Sequence, residues 1–137
     1  MPLRHPAVRW PLTIVLTLGL GWFAGPTIWS GGYGGCVLWV LSMIACPLAV
    51  ALVAPRFPYV FAPLTNLLVE LSLARTRYNW MSEHSEQPWE WFAKSLNTSY
   101  VTAAISVTVG AVVGLSVHAW RKRPGHNQPM QRTGPAV

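Results

Sequence analysis

Four runs of apolar residues, at 11–29, 36–54, 57–74 and 100–120, take up most of the chain, and short turns or one polar stretch separate them. Each is about 18 to 21 residues, which as a helix rises roughly 27 to 32 Å, the thickness of a bilayer hydrocarbon core. Aromatic residues bracket the first run (Trp10, Trp29) and the last (Tyr100, Trp120), as suits the headgroup level. The last run is rich in β-branched residues, among them Val101, Ile105, Val107 and Val109, which would favour a strand in water. In lipid a lone strand leaves its backbone unpaired, so a helix is expected there as well.

The connections set the order of packing. Ser-Gly-Gly-Tyr-Gly-Gly at 30–35 is short enough to force the first two helices side by side and antiparallel, and Pro55-Arg56-Phe57-Pro58 makes a second tight reversal. Gly25-Pro26 is expected to kink the first helix, and Pro47 sits inside the second, where a neighbour can re-satisfy the carbonyl it frees. The third run is marginal. Its nine strong insertion residues favour the bilayer by about 3 to 5 kcal/mol in all, against about 2.5 to 3.5 kcal/mol for a carboxylate at mid-bilayer, here Glu70. Asn66, Pro58 and Pro63 weaken it further, so it needs its neighbours.

The fold class that follows is all-α, an integral membrane four-helix bundle of two antiparallel helix pairs with helix three marginal. Residues 1–10 form a basic cytoplasmic N-terminus, 11–120 the membrane domain with a polar outer loop at 75–99, and 121–137 a basic, disordered C-terminal tail. The first run is not read as a cleaved signal: it is too long, and Trp22 occupies the minus-three position of the nearest cleavage site.

Composition agrees with a membrane protein. The chain is 52% hydrophobic and 10% charged, where soluble domains hold about 25% charged residues. A net charge of +6 could indicate nucleic acid, but the cations sit beside the ends of apolar runs without interleaved stacking aromatics. No nucleic-acid partner is expected. With both termini cytoplasmic, seven of the ten basic residues fall inside (Arg4, Arg9, Arg56, Arg121, Lys122, Arg123, Arg132) and three outside (Arg75, Arg77, Lys94). That bias favours four spans in the cell (inner) membrane. Cys36 and Cys46, about 15 Å apart on one helix, cannot bridge each other.

Small residues give the clearest constellation. Thr102, Ser106, Gly110, Gly114 and His118 recur at four-residue intervals, and Gly21 with Gly25 repeats the spacing in the first helix. Residues four apart share a face, and a face without bulk admits a neighbouring backbone. Gly21, Gly25, Ser106, Gly110 and Gly114 are therefore the candidate helix-packing residues. Asn66 and Glu70, one turn apart, are the candidate transport residues, because polar groups in a span often mark a path; the competing reading makes Glu70 an interfacial anchor. Glu83, His84 and Glu86 lack the further ligands of known metal or hydrolase patterns, and Asn97-Thr98-Ser99 abuts a span too closely to weigh as a glycosylation site. No cofactor, metal or catalytic constellation is expected. The expectation is a non-enzymatic packing, scaffold or accessory protein whose partners are the lipid bilayer and a second copy or another membrane protein. The alternative is an oligomeric small-solute or ion transporter or channel subunit.

Overall fold

The computed structural model describes residues 6–30 and 33–123; of the basic start expected at 1–10, residues 6–10 are helical and 1–5 lie outside the described residues, as do Gly31-Gly32 and, of the tail expected to be disordered at 121–137, residues 124–137. Among the described residues four helices follow one another: α1 (Pro6–Ser30), α2 (Tyr33–Val53), α3 (Pro58–His84) and α4 (Pro88–Arg121). Among the described residues the protein is all-helical. α1, α2 and α4 each contain a segment long and apolar enough to cross a membrane, at Ala7–Ser30, Gly34–Val53 and Ser99–Arg121, which marks a membrane-embedded protein. α3 does not reach that apolarity; Asn66, Glu70 and two arginines lie within it.

Proline opens both later helices, where its missing N–H costs nothing and its fixed φ suits the first turn. The reversal into α3 is so tight that Phe57 takes a left-handed backbone (φ 56°), a conformation rare outside glycine. The polar segment expected as a loop at 75–99 is helical except for a three-residue turn at 85–87. Its polarity led to the loop reading, yet Tyr78 packs edge-on against Trp89 and Phe92 (5.4 Å to the latter) across the turn. Arg77 Nη1 donates to Ser99 Oγ at 3.1 Å on the same hairpin. These contacts extend α3 to 27 residues and α4 to 34, about 40 and 50 Å, so the two project past α1 and α2.

α2 and α3 form the middle of the bundle, each touching all other helices, while α1 and α4 lie on opposite flanks without meeting. The interior is polar and the exterior apolar. Thr13, Thr17, Thr65, Asn66, Glu70, Ser72 and Ser106 are buried, whereas large apolar side chains such as Val15, Phe23, Leu41, Leu71 and Val112 are exposed. Such an inversion is unfavourable in water and natural in lipid.

Candidate functional site

Where α3 runs between its flanking helices, glycine brings the backbones into contact. A Cβ built on Gly110 would lie 2.8 Å from Pro63 Cα, and one on Gly114 would lie 2.7 Å from Pro58 O and from Tyr59 Cα. On the other side, a Cβ on Gly25 would meet Leu73 N at 2.6 Å, and one on Gly21 would meet Leu68 Cβ at 2.5 Å. The two small-residue faces found in the sequence therefore lie against one helix, α3, from opposite sides. Ser106 is buried on the same face of α4, and its carbonyl is used, as described next.

A proline in a helix deprives the carbonyl four residues earlier of its donor. Pro47 frees Met43 O, and Asn66 Nδ2 donates to that oxygen at 3.1 Å while its second hydrogen reaches Ser106 O at 2.6 Å. Pro26 frees Trp22 O, and Ser72 Oγ donates to it at 2.6 Å. Two polar residues of α3 thus fill the gaps that prolines open in α1 and α2. The signal for these pairs is in the sequence, a carbonyl four residues before each proline, but the register that matches Asn66 and Ser72 to them is not.

Glu70, one turn beyond Asn66, is 8% exposed and accepts a 2.8 Å hydrogen bond from Trp39 Nε1. Arg75 and Arg77, the next basic residues along α3, are engaged with other groups: Arg75 lies over the Trp22 ring at 4.4 Å and Arg77 over Trp29 at 5.7 Å. Trp39 also lines an open cavity of about 530 Å³ at the hairpin end, with Ile28, Trp29, Leu73, Arg77 and Thr102. One atom stands out in this seam. Asn66 is 1% exposed, and its Oδ1 is the buried side-chain atom without a partner among the described residues. The two carbonyls facing Nδ2 fix the amide orientation, since a flip would set oxygen against oxygen.

At the opposite end, two arginines missed by sequence reasoning close α2. Arg9 Nε donates to Val53 O at 2.9 Å and Nη2 to Leu52 O at 3.2 Å. Arg121 donates to Ala54 O, Ala51 O and Leu52 O at 2.6 to 2.9 Å. With Ala54 N on Val50 O, all four carbonyls left over by the last turn have donors. The guanidinium charges also oppose the negative end of the α2 dipole.

The other sequence candidates have simpler surroundings. His118 packs edge-on to Tyr59 at 5.2 Å. His84 stacks on Trp80 and faces Trp80 O through Nδ1 at 2.9 Å, with Glu83 and Glu86 exposed beside it. Among the described residues no three His, Cys, Asp or Glu side chains converge. Cys36 is exposed and Cys46 half-buried, both unbridged. No protein-family model matches the chain, and neither the curated proteins nor the solved structures contain a match to it.

Proposed function

We propose that the chain is a non-enzymatic, multi-pass membrane scaffold or accessory protein whose four helices cross the bilayer with both termini cytoplasmic. Val60, Leu64, Leu67 and Leu71 support a spanning α3: they recur at spacings of four, three and four residues and form an exposed apolar stripe opposite its buried polar face. Charge supports the orientation. Among the described residues Arg9, Arg56, Arg121, Lys122 and Arg123 gather at the end without an acidic side chain, whereas Arg75, Arg77 and Lys94 share the hairpin end with Glu83, Glu86 and Glu90.

The observation that carries the scaffold role is the use to which α3 puts its polar groups. Asn66, Glu70 and Ser72 each bond a neighbouring helix, as glue does in a membrane bundle. The hairpin head, with exposed Trp89 and Trp91, extends beyond the bundle as the surface for a partner. One observation favours the transport alternative: the unpaired Asn66 Oδ1 lies one turn from Glu70, whose partner Trp39 lines an open cavity.

Reconstitution in liposomes separates the two. Glu70→Gln keeps an oxygen for the Trp39 indole and removes the charge. The scaffold reading expects no cation or proton flux above empty liposomes and equal stability of both proteins. A wild-type flux abolished by Glu70→Gln at equal incorporation would replace it with the transporter. Reporter fusions after Gln87 and after Val137 test the topology: an outward C-terminus would sink the four-span arrangement.

A further inference from the structure

Two apolar grooves flank α1, and they differ in one respect. The groove between α1 and α2, about 500 Å³, is lined by Leu16, Gly19, Leu20, Leu38 and others with no charged residue. The groove between α1 and α3, about 770 Å³, has walls of Val15, Leu18, Leu68 and Leu71 and ends at Arg75. Its volume is in the range of ligand-binding cavities, about 300 to 1,000 Å³. A Cβ at Gly19 would meet nothing within 4 Å, so there is free space over the groove floor at this residue.

Arg75 is the first charged residue after the apolar stretch of α3, and its guanidinium is held over the Trp22 ring at 4.4 Å. Among the described residues it has no carboxylate or carbonyl partner, and Arg77, two residues on, is turned toward Trp29 and Ser99. Guanidinium donors without acceptors at the head of an apolar groove match a phosphate attached to an acyl chain. We propose that the α1–α3 groove binds one anionic phospholipid, its chain along Gly19 and Leu71 and its phosphate on Arg75. The α1–α2 groove, lacking a cation, takes lipid without headgroup preference. The site rests on α3 spanning the bilayer, as proposed above.

The test is lipid retention measured by native mass spectrometry after extraction from nanodiscs of equal phosphatidylglycerol and phosphatidylcholine. The wild type should retain phosphatidylglycerol preferentially. Arg75→Gln should lower that preference about fivefold, the worth of one cation at an anionic surface. Arg75→Lys should keep most of it, and Arg56→Gln, at the other end, should change nothing. Gly19→Leu leaves the charge in place and fills the floor that Gly19 gives to both grooves, and because its Cβ enters open space the variant should melt with the wild type while losing the phosphatidylglycerol preference of the α1–α3 groove. Equal retention of both lipids by the wild type would overturn the site. So would an Arg75→Gln protein unchanged in selectivity, or a Gly19→Leu variant that keeps the preference. Loss of a dimer in Gly19→Leu without any lipid effect would assign the groove to a second copy instead. In a background with Cys36 and Cys46 replaced by Ser, maleimide labelling of Leu71→Cys checks the underlying span separately: a labelled thiol refutes a spanning α3, whereas a shielded thiol with no lipid preference refutes the lipid site alone.

Discussion

α2 has no charged residue from Tyr33 to Val53, is apolar enough to enter a bilayer alone, and places its polar needs at its ends and at one proline. α3, packed against it, carries Asn66, Glu70 and Ser72 in its middle and falls short of that apolarity, yet it is the helix on which α1 and α4 close most tightly. The dependence runs both ways. α2 has a carbonyl that only a neighbour can satisfy, and α3 has a donor that only a neighbour can use. In lipid, where apolar contacts give no net advantage over lipid tails, such exchanges and close backbone packing are what distinguish one partner from another.

The comparison breaks most severely if α3 loses its close contacts. Gly110→Ile with Gly114→Ile drives branched side chains into Pro63, Pro58 and Tyr59, and should cost a few kcal/mol. Thermal unfolding in detergent and steady-state abundance would both fall; a double variant that melts with the wild type would mean the backbones can separate freely.

A smaller effect sharpens the exchange itself. Asn66→Leu strips the donor from Met43 O and Ser106 O and should cost about 1 to 2 kcal/mol. If the bond to Met43 exists because Pro47 freed that oxygen, Pro47→Ala restores the helix's own donor and should reduce the cost of Asn66→Leu. Unfolding titrations of the four proteins in the double-mutant cycle measure this, and strict additivity would break the link. The same cycle at Ser72→Ala and Pro26→Ala should give a weaker coupling, near the average of about 0.6 kcal/mol for hydrogen bonds between membrane helices. Ser72 is nearer the hairpin end, so water there can replace it.

Smallest is Glu70→Gln. The amide oxygen still accepts from Trp39 Nε1, so stability should change by less than about 0.5 kcal/mol, whereas Glu70→Leu, which orphans the indole N–H, should cost about 1 kcal/mol. Equal losses in the two variants would mean that the charge, not the hydrogen bond, holds the site together.

The four helices were legible because lipid-length apolar runs have few other solutions, and α3 was already marginal by its own composition. What escaped was anything that needs register. Residues 75–84 and 88–98 look like a loop from polarity, but polarity speaks only to the surroundings of a segment, and a helix outside the membrane is free to be polar. Tyr78, Trp89 and Phe92 hold that hairpin, and their meeting depends on where the turn falls. Arg9 and Arg121 read as orientation signals and serve as caps too, since a charge count says nothing about which carbonyls lie within reach. Glu70 likewise bonds a tryptophan thirty-one residues back on a different helix, a pairing that only the register of α2 against α3 sets.

The double arginine cap also has a consequence in time. Arg9 enters the membrane region with the first helix made, and Arg121 closes the last. While α4 is still being synthesised, Ala51 O lacks its guanidinium donor, Asn66 lacks the Ser106 carbonyl, and the face of α3 that receives Gly110 and Gly114 is uncovered. A chain halted at that stage displays an unfinished helix end on α2 and an Asn66 amide with only one of its two carbonyls. Completion of α4 removes all of them at once, so the final residue of the last helix reports that the rest has been built.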